Sequence, residues 1–294
     1  MLSTSFSLPA GFDFEGTTLL VGIGQGDPTT RRAPGRLSKA VWLRGELTAL
    51  DLERRDATTV VARAEGGQAE LLLREAPAIL GLHDDPTALV PRHELIATLA
   101  RRHAGLRLRR LPWIADCVYH AVLQQKVAFR DAAESHRWLV RRHGVDAPFG
   151  LRALPPWEAL AKLSADDFFG VQIERQRSDT VRMVASVARR LDALADDPAL
   201  PEKLRSIRGV GPWTVGTVMG HGRGDPDALL LGDYHLPNTV AFALAGEPRG
   251  DDARMLELLE PYVGQRFRVL RLLMAGGVGA PRYGPRMRPQ WGRR

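Results

Sequence analysis

LRSIRGVGPWTVGTVM, residues Leu204 to Met219, is the stretch whose reading decides the fold. Leu204 and Ile207 end one short helix. Gly209-Val210-Gly211 predicts a turn too tight for side chains, and Pro212 falls on the first turn of a second helix, where its missing N–H costs nothing. The arrangement directs the backbone N–H groups of Gly209, Gly211 and the start of the second helix, Thr214 included, outward. Such a helix start is an anion site, suited to a phosphate such as that of a nucleic-acid backbone. Gly is common at helix ends, so GVG taken alone also fits an ordinary helical turn.

Downstream, an apolar helix running to Gly220 gives way to GDPDALLLGDYHLPN, which places Asp233 after an apolar run and a glycine, at the head of another helical pattern. An aspartate there reads as a helix N-cap or as a chemical group. Upstream, apolar residues recur at helical spacing from near Pro77 almost to the end: Ile114, Cys117, Val118, Ala121, Val122 form one stripe and Val181, Val184, Ala185, Ala188, Leu191 another. Before Ala76 the pattern is strand-like, with apolar runs at Leu19 to Ile23, Val41 to Leu43, Val60 to Ala62 and Leu71 to Leu73. The expected class is α+β, a small antiparallel sheet followed by a larger helical body.

Composition narrows the partners. The 294 residues are 44% hydrophobic and 26% charged, which excludes intrinsic disorder and fibrous classes. Absence of a long apolar stretch, and an N-terminus reading MLSTSFSLPAGFDFEG, lead to the expectation of a soluble, cytoplasmic protein, nucleoid-associated in a bacterium. A single cysteine, Cys117, excludes a disulfide framework and a four-thiolate metal site. The net charge of +7 favours a polyanion. Arg101, Arg102, Arg107, Arg109 and Arg110 cluster before Trp113, as a solvated face or a DNA track, and Arg282, Arg286, Arg288, Arg293 and Arg294 form a basic tail.

Other signals fail. GIGQG at Gly22 to Gly26 invites a dinucleotide reading, but Asp27 takes the third glycine position and Pro28 and Pro34 prevent a long following helix, so a tight turn is expected. The eight histidines show no metal-ligand spacing, so no zinc site is predicted. There is neither a Walker loop nor a GxSxG elbow.

LxxIxGVGPWT resembles a helix-hairpin-helix motif, and with the Gly/Pro-rich loop and Asp233 behind it the chain resembles the helix-hairpin-helix DNA glycosylase superfamily, most closely the DNA-3-methyladenine glycosylase II family. GLHDDP at 81–86, GLRLRRLPW at 105–113 and VLQQKV at 122–127 fall where that family has similar runs. The resemblance implies a sheet domain over 1–76, one helical lobe from 77–112 and 234–280, a helix-hairpin-helix domain over 113–233 and a basic tail over 281–294. It also implies base flipping from damaged double-stranded DNA and hydrolysis of the N-glycosidic bond of alkylated purines by a monomer. By position, Asp233 matches the catalytic aspartate, and Trp213 and Tyr234 match base-pocket aromatics. Gln125 and Lys126 fall on the loop that wedges into the base stack. The backbone carbonyls of Arg205, Ile207 and Val210 fall where the family's hairpin holds a sodium or potassium ion, and no other cofactor is implied. Bifunctional members use a lysine where this chain has Trp213, so no lyase activity is expected.

The chain departs from the pattern at Lys126, in place of a leucine or glutamine, at Met274, in place of a pocket aromatic, and at Thr217. Two other readings stay open: a non-catalytic module that binds damaged DNA, for which Asp233 is not needed, and a glycosylase for oxidised or deaminated bases.

Overall fold

The computed structural model describes residues 1–281, so the arginines from Arg282 onward lie outside the described residues. Among the described residues there are seven strands: β1 Leu2–Ser7, β2 Thr30–Ala33, β3 Arg36–Leu43, β4 Glu46–Arg54, β5 Thr59–Gly66, β6 Val145–Ala147 and β7 Leu151–Ala153. The first five form one antiparallel sheet in the order β1-β5-β4-β3-β2, and the last two form a separate hairpin. Thirteen α-helices are described: α1 Phe14–Thr18, α2 Ala69–Ile79, α3 Glu94–Arg102, α4 Ile114–Leu123, α5 Phe129–His143, α6 Trp157–Leu160, α7 Ala165–Phe169, α8 Arg175–Ala193, α9 Leu200–Arg205, α10 Pro212–Thr217, α11 Leu236–Ala245, α12 Asp252–Leu259 and α13 Arg266–Ala275. The class is α+β, as the sequence predicts.

Turn chemistry sets the sheet register. Between β3 and β4 the two-residue turn Arg44-Gly45 has positive φ at both positions, 53° and 85°, the backbone twist that matches a hairpin. Asp192 holds it from outside, accepting the Arg44 N–H at 3.0 Å, and its other oxygen accepts the Ala115 N–H at the start of α4, also at 3.0 Å. One carboxylate thus joins the sheet, α4 and the end of α8.

Both sheet faces are packed. Leu43, Leu50, Leu52 and Val60 bury against Leu72, Ala76 and Ile79 of α2, while Ala40 and Ala49 on the other face meet Leu151 and Ala153 of the β6–β7 hairpin. Two helical cores follow: one from α4, α5, α8, α9 and α10, the other from α3, α11, α12 and α13. Trp213 and Met219 pack against both.

Two strand readings are corrected. Leu71 to Leu73 lie in α2, since three consecutive leucines carry no period and the helix has Leu72 facing the sheet. Leu19 to Ile23 form an irregular segment after α1. The GIGQG segment is a loop with positive φ at Gly22, Gly24 and Gly26, and no helix follows it, which removes the dinucleotide reading. The basic cluster before Trp113 divides. Arg109 is buried and donates to the Thr17 and Leu20 carbonyls, Arg110 pairs with Asp196, and Arg101 pairs with Glu94. From the far end of the chain Arg271 donates to the Gly16 carbonyl at 2.7 Å. These arginines satisfy carbonyls at the end of α1 that have no helical partner. Among the described residues no helix is long and apolar enough to cross a membrane.

Candidate active site

α9, the turn and α10 stand where the sequence places them. Gly209 has φ +88°, and a Cβ there would lie 2.1 Å from Thr180 Oγ1 of α8, so both the conformation and the approach of α8 require glycine. Gly211 is different. Its φ of −95° is extended backbone, and a Cβ would meet nothing within 4 Å, while Val210 buries its side chain. The expectation that the whole GVG is too tight for side chains holds for Gly209 alone. Pro212 is the first residue of α10, and the Val215 N–H bonds back to the Gly211 carbonyl.

Thr214 does not face solvent. It is 1% exposed, and its hydroxyl accepts from Gln125 Nε2 at 2.9 Å. A side-chain contact between Thr214 and DNA is therefore ruled out; its backbone N–H remains, since the first N–H groups of a helix lack intrahelical acceptors. The same Gln125 Nε2 donates to the Gly209 carbonyl at 2.9 Å. Gln125 is thus a strut from the loop after α4 to the hairpin, a contact the sequence reading misses because the partners are 84 and 89 residues away. Lys126, next in the chain, is exposed with φ +54°, a left-handed conformation a side chain adopts rarely. From α8, Arg177 donates to the Leu123 carbonyl at 2.8 Å and fixes the end of α4.

Asp233 lies on the loop before α11 and is partly exposed. One carboxylate oxygen accepts the His235 and Leu236 N–H groups at 2.8 and 2.9 Å, as an N-terminal cap does. The other accepts the Trp213 indole N–H at 2.8 Å. Capping and site geometry are therefore not alternatives at Asp233, because its two oxygens divide the tasks. The oxygen facing Trp213 keeps a lone pair, since each carboxylate oxygen offers two. Sequence reading pairs the two residues only as neighbours of one pocket; their hydrogen bond emerges from the fold.

Two glycines bring the groups together. A Cβ at Gly216 would sit 1.9 Å from the Leu229 carbonyl oxygen, so α10 presses directly on the loop that leads to Asp233. Gly232 has φ +81°, and its N–H is held by Asp252 at 2.8 Å. Tyr234, the residue after Asp233, is 80% exposed and meets only the edge of the His235 ring among the described ring contacts. Met274 on α13 is also exposed, and Thr217 leaves a buried hydroxyl without a hydrogen-bond partner among the described residues.

The three carbonyls proposed for a monovalent ion frame the hairpin turn. Ile207 O accepts the Val210 N–H at 3.0 Å and keeps its second lone pair. Uncharged carbonyl oxygens from Arg205, Ile207 and Val210 are hard donors, which suit an alkali cation and no redox metal.

The chain has relatives in sequence and in fold. Two Bacillus subtilis proteins whose names carry the words DNA-3-methyladenine glycosylase match over 177 residues each. They are 28% and 23% identical, over 57% of this chain and 61% and 58% of theirs. Homologues of this chain thus bear the name DNA-3-methyladenine glycosylase. A Mycobacterium tuberculosis protein with a name containing bifunctional transcriptional activator/DNA repair enzyme is 30% identical over 167 residues, 54% of this chain and 34% of that one. The chain thus spans between about a third and three-fifths of the length of these relatives. In fold it is similar to a 3-methyladenine DNA-glycosylase from Archaeoglobus fulgidus, with TM-score 0.72 and 19% identity over 94% of this chain and 98% of that one. It is also similar to an 8-oxoguanine glycosylase/lyase from Clostridium acetobutylicum, with TM-score 0.66 and 13% identity over 92% and 95%. No family model matches.

Proposed function

We propose that this chain is a monofunctional DNA glycosylase that releases alkylated purines, of the 3-methyladenine or 7-methylguanine type, from duplex DNA. One observation carries the reading. A partly exposed carboxylate, Asp233, is oriented by two backbone amides and by the indole of Trp213, which packs against both helical cores, with exposed Tyr234 next in the chain.

The chemistry fits a lone carboxylate. A purine alkylated at N3 or N7 carries positive charge and leaves without a strong general acid. As the bond from C1′ to the base nitrogen breaks, the electron pair goes to the base and positive charge grows on the sugar, where the Asp233 carboxylate stabilises it. Water adds its oxygen to C1′ and releases a proton, leaving free base and an abasic site. The base must first leave the stack, at a cost of a few kcal/mol. Phosphates gripped at the Gly209–Thr214 backbone and by surface arginines offset that cost. Lys126, at the exposed end of the loop braced by Gln125, enters the gap. A flipped cationic base is attracted to the faces of Trp213 and Tyr234. A sodium or potassium ion on the Arg205, Ile207 and Val210 carbonyls would add positive charge to the phosphate grip.

Because position 213 is tryptophan, no lysine stands there to form a Schiff base, and the product is an unbroken strand. The enzyme acts as a monomer in the cytoplasm. The test compares wild type with Asp233→Asn on methylated duplex DNA, scoring free base and strand breaks before and after hot alkali. Methylpurine released by wild type alone, with breaks only after alkali, supports the proposal. DNA binding without release by either protein favours a recruitment module or another lesion.

A further inference from the structure

Apart from the residues around Asp233, the loop before β2, α4 and α5 bring together Asp27, His120 and His136, all buried, with one potential ligand atom from each within 4.8 Å of the others. We propose that these three residues form a structural site for a first-row divalent metal ion of the zinc type.

The surroundings are those of a metal site. Ligating histidines use one ring nitrogen for the ion and hold the other through an outer partner. His136 Nδ1 meets the Tyr119 hydroxyl at 3.1 Å, while its Nε2 faces Asp27 Oδ1 at 2.9 Å. His120 Nδ1 lies 3.6 Å from Asp116, and its Nε2 is buried with no hydrogen-bond partner among the described residues. A buried ring nitrogen left unpaired is destabilising, and an ion bonded to it removes that penalty. Asp27 is itself fixed, accepting the Ile23 N–H and the Thr29 N–H and hydroxyl at 2.7–3.0 Å.

Charge points the same way. Lys39 Nζ pairs with Asp116 at 3.1 Å, which leaves Asp27 as a second buried carboxylate. The neighbouring Arg137 is already engaged with Glu134 and the Gln25 carbonyl. A buried anion with two imidazoles beside it is balanced by one more positive charge, a proton on an imidazole or a bound cation. Bonds of about 2.0–2.2 Å to a tetrahedral ion put ligand atoms about 3.3 Å apart. No pair therefore has more than about 1.5 Å to close. The ion would replace the hydrogen bond between His136 and Asp27. Burial makes the role structural, tying the loop before β2 to the two helices that flank the Gln125 strut.

Co2+ is the probe. Full-length chain freed of metal by a chelator is titrated with Co2+, followed by its visible d–d absorption, and then with Zn2+ in competition. One Co2+ per chain, displaced by Zn2+, is expected. Tyr119→Phe should weaken binding about 10- to 100-fold, and His120→Gln by more than about 100-fold. The metal-free His120→Gln and wild-type chains are melted side by side, so that a loss of binding at an equal melting temperature is not unfolding. Wild type that takes up no stoichiometric Co2+ or Zn2+ overturns the site, and so does binding that His120→Gln and His136→Gln leave intact. A metal-free wild type whose His136 ring carries both protons by NMR, and which still binds no ion, identifies a proton as the missing cation and equally overturns it.

Discussion

Replacing Trp213 by phenylalanine keeps an aromatic ring between the two helical cores and deletes the N–H that Asp233 accepts at 2.8 Å. A hydrogen bond to a charged group contributes about 1.5–3 kcal/mol. Trp213→Phe should therefore slow base release about 10- to 100-fold at saturating DNA, with an unchanged circular dichroism spectrum. Equal rates for the two proteins would assign Trp213 to packing alone. At Gly209 the constraint is backbone and contact together. Gly209→Ala puts a methyl group 2.1 Å from Thr180 Oγ1 at φ +88°, and should lower unfolding free energy by about 1–3 kcal/mol in a urea titration. Gly211→Ala, facing open space at an extended φ, should cost far less stability, so any loss it causes belongs to DNA affinity.

At the level of elements, the loop after α4 and the hairpin before α10 are one mechanical unit through Gln125. Gln125→Ala should raise the Kd for undamaged and methylated duplex by a similar factor, read by fluorescence anisotropy, because it loosens the hairpin proposed to hold the phosphates. The joint at Asp192 responds to pH. Burial pushes its carboxyl up to about 7, against about 3.9 in an unfolded chain. The folded form therefore holds a proton that the unfolded form releases. Its contribution to stability is complete below pH 4 and is lost as pH rises towards 7, at no more than about 1.4 kcal/mol per pH unit. The difference in unfolding free energy between wild type and Asp192→Asn should fall across that window and flatten above it. Legibility also divides by element. The helix–turn–helix of residues 200–217 is readable because Gly, Pro and apolar spacing impose local geometry. The sheet is readable as a sheet, but Leu71–Leu73 look like strand because a uniform apolar run has no period, and β1 escapes because Leu2–Ser7 is short and mostly exposed. Asp233 is visible as a helix-heading aspartate, whereas its bond to Trp213, the Gln125 strut and the joining of Asp27, His120 and His136 depend on tertiary contacts that leave no spacing in the sequence.

For the whole molecule, the decisive fit is between the two helical cores. Gly216 lets α10 rest on the carbonyl of Leu229, four residues before Asp233. Gly216→Ala must push that loop away, which should remove about 1–3 kcal/mol of stability and also displace Asp233 from Trp213. Urea melts together with base-release rates test this, and a stable variant with full activity would show that the two lobes shift without disturbing the carboxylate. The sheet supplies none of the groups proposed for the reaction, yet Asp192 and the Trp42 indole, which donates to the Leu154 carbonyl at 2.7 Å, fasten it to the helical body. The end of α1 has a further consequence, one of timing. Its Thr17 and Leu20 carbonyls wait for Arg109, and its Gly16 carbonyl waits for Arg271, 255 residues later. On a ribosome the first helix is thus made long before its last partner exists, so a nascent chain stopped before α13 should expose residues 14–20 to a protease that the finished chain resists.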